Sequence, residues 1–296
     1  MIRITLVAAL AVVALSGSAF AGLEGEVQNK FIVTYNVVPD PFGLFAFYTM
    51  PRTTKEAEKS HFSQVAERSE DKTTVWCRKG DHRVCVLFDQ QGTVAGIQIS
   101  VSKKELDSVN APGLNVKNIP EIFPQIIGNL DVYSTIAYFV NKETLTTNGG
   151  RLLAEETLTA PDGIYLLQTD INGVETGRLL VSNDESDALS AGFTEQACFH
   201  GMGKHYFQDL KKDGTCDAHR PYFLLYGPHT NKLNGFGLTM YGKPTQGRGW
   251  FETPPALVAK MIAPNSPSCM TQWINKYGLF TMHVFFVEKP WNTWCL

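Results

Sequence analysis

Three stretches of the chain repeat one short pattern, in which an apolar run, a polar turn and a second apolar run follow each other. They cover residues 84–99, 164–181 and 222–238. Polar turns of this kind join antiparallel strands, whereas parallel strands need longer, usually helical, crossovers. The pattern predicts a β-rich fold, all-β or α+β. Its antiparallel sheet is built from hairpins as a sandwich or barrel-like body, with a few short peripheral helices.

The three stretches do not recur at a fixed period, which favours independent hairpins over an internal duplication. Residues 31–50 are rich in β-branched and aromatic side chains and are broken by prolines and a glycine, so they predict two more strands around a turn. Residues 52–72 are mostly Lys, Glu, Ser, Thr and Arg. That composition predicts a solvated helix or a mobile connector.

Helices are expected at three places. Residues 120–127 form a short candidate that is interrupted by proline. Residues 254–262 are a better candidate, because Thr253 can cap the helix and proline suits its first turn. Residues 269–277 form another short helix, which Gly278 ends.

The N-terminus has the layout of an export signal. A basic Arg3 is followed by an apolar run over residues 4–15 and by an Ala-x-Ala site at residues 19–21. The run is shorter than the roughly 20 residues that cross a bilayer, and no other stretch of the chain is long enough. The sequence predicts a signal peptide over residues 1–21 and a secreted protein without a membrane anchor.

The mature region, residues 22–296, is predicted to be β-rich and to form one domain, with a subdivision near residues 103–118 left open. The whole chain carries a formal net charge of -3, and its Lys and Arg residues are scattered. Binding to nucleic acid requires a basic face that neutralises phosphates. Nucleic acid is therefore not expected as a partner.

The chain has six cysteines, all in the mature region. An even number in an oxidising compartment predicts disulfides, although sequence alone cannot choose among the pairings. No C-x-x-C element is present, which disfavours a thiolate zinc site. We expect local pairing, namely Cys77 with Cys85, Cys198 with Cys216, and Cys269 with Cys295.

Common catalytic motifs are absent, including G-x-S-x-G, H-E-x-x-H and the phosphate-binding P-loop. The segment most suggestive of a site is C-F-H-G-M-G-K-H-Y-F, residues 198–207. Gly201 and Gly203 would let the backbone turn or approach a ligand, and His200 and His205 could offer imidazole nitrogens to zinc or copper. Histidines five residues apart face opposite sides of a regular strand, so both could bind one metal only if the glycines bend the chain.

His283 is the third candidate metal ligand. It lies in a late apolar strand, where alternation places it on the same face as Thr281 and Phe285. The alternative for His205 and His283 is a buried histidine that hydrogen-bonds to backbone or to a hydroxyl. His219 and His229 lie in polar loops and are expected at the surface.

Three elements of the C-terminal third resemble a set of secreted proteins of unknown function from invertebrates and, more distantly, bacteria. These proteins share a G-M-G-x-H-[YF] element, a P-x-x-L-L-Y strand and a late T-x-H-V strand near a C-terminal cysteine. His200 has no counterpart in the bacterial pattern, so the resemblance favours His205 with His283, and it implies no known activity. The matching positions are Gly201, Met202, Gly203, His205 and Tyr206, then Leu224, Leu225 and Tyr226, then His283 and Cys295.

Two classes of function fit these observations. The first is a non-enzymatic binding or extracellular matrix protein whose aromatic side chains line a surface for an unknown extracellular ligand or matrix component. The second is an extracellular enzyme that uses zinc or copper held by His205 and His283, with His200 as a candidate third ligand. Tyr206 or Tyr226 would contact these ligands without binding the metal. A membrane-active toxin is a minor alternative, since the chain has no cationic amphipathic helix.

Overall fold

The computed structural model describes residues 28–34, 43–154, 157–245 and 249–295. The expected signal peptide, residues 1–21, lies outside these ranges and stays a prediction. No helix in the described ranges is long and apolar enough to cross a membrane.

The strands of the described residues form two antiparallel sheets, which confirms the predicted fold class in its sandwich form. Sheet I has seven strands, which are β1 (Ile32–Thr34), β2 (Phe47–Thr49), β11 (Phe193–Phe199), β12 (Gly203–Gln208), β13 (Tyr222–Tyr226), β14 (Leu233–Tyr241) and β15 (Leu279–Phe285). Sheet II has eight, which are β3 (Phe62–Glu67), β4 (Thr74–Arg78), β5 (Asp81–Phe88), β6 (Val94–Ser102), β7 (Phe123–Ile127), β8 (Leu130–Tyr138), β9 (Gly163–Thr169) and β10 (Glu175–Ser182).

The order of strands in sheet I is β11-β12-β13-β14-β15-β1-β2. In sheet II the order is β10-β9-β8-β6-β5-β4-β3, and β7 also pairs with β8. The three predicted hairpins are confirmed as β5-β6, β9-β10 and β13-β14. The two strands expected within residues 31–50 are β1 and β2, which pair with each other, and most of the turn between them lies outside the described residues.

Both sheets contribute side chains to one buried core. Val86 and Ile97 come from sheet II, and Leu224, Phe236 and Val284 come from sheet I. Burial of such aliphatic and aromatic side chains stabilises the fold by about 1.5–3 kcal/mol each. The central strands of sheet I are also buried on their other face, because helices and the C-terminal segment cover it.

Five α-helices and four short 3-10 helices lie around the sheets in the described residues. They are α1 (Thr54–Lys59), α2 (Lys103–Asp107), α3 (Lys142–Thr146), α4 (Ala256–Ile262) and α5 (Met270–Tyr277), with 3-10 turns at Val116–Asn118, Glu185–Asp187, Cys216–Ala218 and Pro290–Asn292. The helices expected at 254–262 and 269–277 are confirmed as α4 and α5. Pro255, and not Thr253, precedes the first turn of α4. Gly278 ends α5 with a φ of 84°.

Two expectations for local structure are corrected. Residues 123–127 are a strand and not a helix, because they pair with the first part of β8, while β9 pairs only with its end. Pro124 is tolerated there, since an edge strand does not need every N–H group. The polar segment 52–72 was expected to be a solvated helix or a mobile connector, and it contains helix α1. Residues 62–67 form edge strand β3, in which Phe62 alone is buried and no alternation is visible.

The three disulfides are Cys77–Cys85, Cys198–Cys295 and Cys216–Cys269. The first confirms the prediction, because these cysteines face each other on neighbouring strands β4 and β5. The predicted pairs Cys198–Cys216 and Cys269–Cys295 are wrong. The fold brings the end of β11 beside the C-terminal segment and the Cys216–Ala218 turn beside the start of α5, so partners lie 97 and 53 residues apart.

Candidate functional site

A cavity of about 450 Å³ lies between the outer face of sheet I and helix α4. Outer face here means the face of sheet I that is turned away from sheet II. Most of the wall is apolar, and Val258 and Ile262 of α4 face the sheet across the cavity. Strands β12, β13, β14 and β15, the turn before β12, Met270 of α5 and Trp291 also contribute to the wall.

Strand alternation places the predicted histidines on this wall. In β12, His205 and Phe207 line the cavity, whereas Tyr206 between them points into the core between the sheets. In β15, Thr281, His283 and Phe285 line the cavity. The prediction that His283 shares a face with Thr281 and Phe285 is thus confirmed.

Gly237 lets the side chains on either side of β14 approach each other. A Cβ atom at this position would lie 2.6 Å from Cε1 of Phe223 and 2.5 Å from the carbonyl oxygen of Met282. The Phe223 ring therefore occupies the space that a side chain on β14 would take. Its centroid lies 5.7 Å from that of His205 and 5.0 Å from that of His283.

His205 and His283 lie side by side although β13 and β14 separate their strands. Their ring centroids are 6.1 Å apart, and the rings are nearly perpendicular. His205 and His283 are thus brought together on the cavity wall. Sequence could not show this, because the approach depends on the glycines and aromatic rings between them.

Glu252 holds His283 in place. Nδ1 of His283 lies 3.0 Å from Oε2 of Glu252, and the Thr281 hydroxyl donates to the same oxygen at 3.1 Å. The Thr34 hydroxyl donates to Oε1. The backbones of Glu252 and Thr281 also form a pair of hydrogen bonds of 2.8 and 2.9 Å. Sequence analysis missed Glu252, because it lies in an irregular segment with no motif around it.

His205 is 1% exposed, and its Nδ1 donates to the carbonyl of Gly203 at 3.1 Å. Burial, with a smaller contribution from neighbouring His283, lowers its pKa to about 3, against the opposing effect of the Gly203 and Ala197 carbonyls. The ring is therefore neutral at physiological pH. Its Nε2 atom is buried and has no hydrogen-bond partner among the described residues.

His200 lies in the turn between β11 and β12, where Gly201 and Gly203 have φ values of 77° and 102°. These positive φ values bend the chain at the turn, as the two glycines predict. The His200 ring packs against Trp294, with centroids 3.7 Å apart, and partial burial lowers its pKa. His200 reaches the cavity wall beside that contact.

Tyr206 and Tyr226 lie on the opposite face of sheet I from His205. The Tyr206 hydroxyl donates to Glu185 at 2.7 Å, and the Tyr226 hydroxyl donates to the Ser182 carbonyl at 3.1 Å. The structure therefore places both tyrosines in the core between the sheets. They do not contact the histidine pair.

His219 was expected at the surface, but it lines the cavity. Its Nε2 donates to the Thr239 carbonyl at 2.8 Å, and burial lowers its pKa to about 4. Polar residues surround His219 in the sequence, so the sequence does not indicate that its ring lines the cavity. His229 is exposed, as expected.

Within the ranges that the structure describes, no three His, Cys, Asp or Glu side chains are grouped so that they could hold a metal ion. The imidazoles that lie closest to each other on this wall are those of His205 and His283. Comparison of the chain with protein-family models, curated proteins and solved structures finds no significant match. The geometry of the cavity is thus the basis for assigning a function.

Proposed function

We propose that this protein is a secreted binding protein that holds a small, mostly apolar molecule in the cavity between sheet I and α4. The observation that carries the proposal is the cavity itself, whose volume of about 450 Å³ is in the range of sites for small organic ligands. Such sites are mainly apolar and contain a few polar groups that orient the ligand. The Glu252, His283 and His205 cluster supplies those groups here.

The apolar wall would provide most of the affinity. Phe207, Phe223 and Phe285 cover the sheet side, and Val258 and Ile262 cover the helix side. Removing apolar surface from water contributes about 25 cal/mol per Å². A ligand that fills this space is therefore favoured over water.

The three disulfides fit a protein that works outside the cytosol. Cys198–Cys295 and Cys216–Cys269 each join two segments near the cavity that are far apart in the sequence. This arrangement supports a rigid, preformed site.

Helix α4 offers a matched pair of variants for the test. Val258 lines the cavity, whereas neighbouring Leu257 is 73% exposed and does not. We expect Val258→Trp to fill the cavity and to abolish binding of the neutral dye Nile red, measured by fluorescence titration, and Leu257→Trp to bind like the wild type. Native mass spectrometry of protein from a secretory host should show a bound small molecule. Dye binding that survives Val258→Trp unchanged would refute the proposal.

A metal-dependent enzyme is the second candidate, and the closeness of His205 and His283 favours it. Each ring uses Nδ1 in a hydrogen bond, to Gly203 or to Glu252, which is how proteins commonly orient an imidazole whose Nε2 binds a metal. Elemental analysis of protein from a secretory host should then show near-stoichiometric zinc or copper. The metal should be lost in His205→Ala and kept in the control His229→Ala. A metal-free wild type would remove this candidate.

A further inference from the structure

Several buried polar groups of the cavity wall already donate their own hydrogens to other groups of the protein. We call Thr34, Glu252, Thr281, His283 and His205 the acceptor cluster. All five line the cavity, and all are buried. What each offers to a ligand depends on where its own hydrogen points.

Glu252 takes up the hydrogens of three members. Both threonine hydroxyls donate to its carboxylate, so their oxygens keep only lone pairs for other partners. The carboxylate also accepts from Nδ1 of His283, so the hydrogen on that nitrogen is not available to a ligand. A buried carboxylate without donors would be costly, so this direction is fixed by Glu252.

His205 also uses its own hydrogen within the protein, for an independent reason. Its Nδ1 faces the carbonyl of Gly203, which can only accept, so the ring hydrogen is on Nδ1. Nε2 is therefore a lone-pair acceptor, and it is buried without a partner among the described residues. An unsatisfied buried acceptor of this kind is stabilised by a ligand that brings a donor.

The charge of the wall selects against acids. No Lys or Arg is among the described residues that line the cavity, whereas the Glu252 carboxylate is. An anionic ligand would lose its hydration and face both this carboxylate and the lone pairs of the cluster. A cationic ligand would also lose its hydration, and both oxygens of Glu252 are already occupied by donors.

The geometry points to a neutral apolar alcohol or phenol as the ligand, with its hydroxyl donating to Nε2 of His205 in the acceptor cluster. This inference rests on the proposed function and names the ligand class of that cavity. A hydroxyl supplies one donor without a net charge. A fatty acid or other carboxylate of the same size is the class that the cluster disfavours.

Three probes that share one ring system test the inference on the wild-type protein. They are 2-naphthol, its methyl ether 2-methoxynaphthalene, and 2-naphthoate, titrated by calorimetry near neutral pH. We expect 2-naphthol to bind about tenfold more tightly than the ether, since a buried acceptor left unpaired costs about 1.4 kcal/mol or more. We expect 2-naphthoate to bind more weakly still. In His205→Phe, the preference of naphthol over the ether should shrink, while the ether still binds.

The outcomes separate this inference from the proposed function. Equal affinity for naphthol and the ether, a preference for naphthoate, or no binding of naphthol by protein that binds Nile red would overturn the hydroxyl assignment and leave the binding proposal standing. No binding of any probe, Nile red included, would overturn both.

Discussion

Nδ1 of His283 lies 3.0 Å from Oε2 of Glu252, and both side chains are almost completely buried. This contact ties β15 to the irregular segment that leads into α4. Both residues line the cavity, so the same carboxylate stabilises the fold and sets the hydrogen-bonding character of the wall.

Replacing Glu252 with Gln removes the charge that three donors share. We expect the free energy of unfolding to fall by about 2 kcal/mol, because hydrogen bonds to a charged group contribute about 1.5–3 kcal/mol. Urea denaturation at neutral pH measures the change. Glu58→Gln, an exposed carboxylate on α1, is the control and should change stability little. Equal effects of the two substitutions would contradict the role of Glu252.

Acid should destabilise the protein through His205. Its pKa is about 3 in the folded state, and histidine has a pKa near 6.5 when unfolded. As pH falls from about 6.5 toward 3, the unfolded chain takes up a proton that the folded chain does not, so stability is lost over that window. Each histidine of this type contributes a slope of about 1.4 kcal/mol per pH unit.

His205→Phe removes one such titration, and we expect a shallower fall in unfolding free energy between pH 6 and pH 4.5 than in the wild type. His219, whose pKa is also lowered, keeps part of the slope in the variant. His229→Gln, at an exposed position, is the control substitution. A wild-type stability that is flat across this range would disprove the burial argument.

Gly237 should not tolerate a side chain. A methyl group there meets Phe223 and the Met282 carbonyl, so we expect Gly237→Ala to cost about 1–3 kcal/mol and to displace the Phe223 ring. Gly177→Ala is the matched control, because nothing lies within 4 Å of the added carbon on strand β10. Thermal unfolding of both variants measures the difference. A Gly237→Ala protein as stable as the control would show that the ring packs elsewhere.

Peptide mapping of the non-reduced protein should recover the links Cys77–Cys85, Cys198–Cys295 and Cys216–Cys269. Removing the second link with paired Cys→Ser changes should lower stability by about 2–4 kcal/mol, since it closes a long loop. Recovery of a peptide that joins Cys198 to Cys216 would contradict the fold at the end of β11.

Much of the fold can be predicted from local sequence, because each of the three hairpins consists of a short apolar run, a polar turn and a second apolar run. The terminal helix α5 is equally local, since Gly278 ends it. Strands β3 and β7 were missed because both are edges. Such strands bury few residues or carry proline, so neither alternation nor composition distinguishes them from a helix or a connector.

The candidate site could be predicted only in part. His205 and His283 carry a visible motif and a visible alternation, and the structure brings them together. Glu252 was not found, because it reaches the site through a β-bridge to Thr281 on β15. His219 was not found, because it lies in a polar turn and only its ring points to the Thr239 carbonyl. The two distant disulfides were missed for the same reason. Such contacts are fixed by the path of the chain and not by neighbouring residues.

Methyl NMR of the protein titrated with 2-naphthol tests the central claim most directly. The account predicts chemical-shift changes and ligand NOEs at the methyl groups of Val258 and Ile262, which line the cavity, and none at Ile126, which is exposed on sheet II. Unchanged Val258 and Ile262 signals at saturating ligand, or effects centred on Ile126, would contradict it.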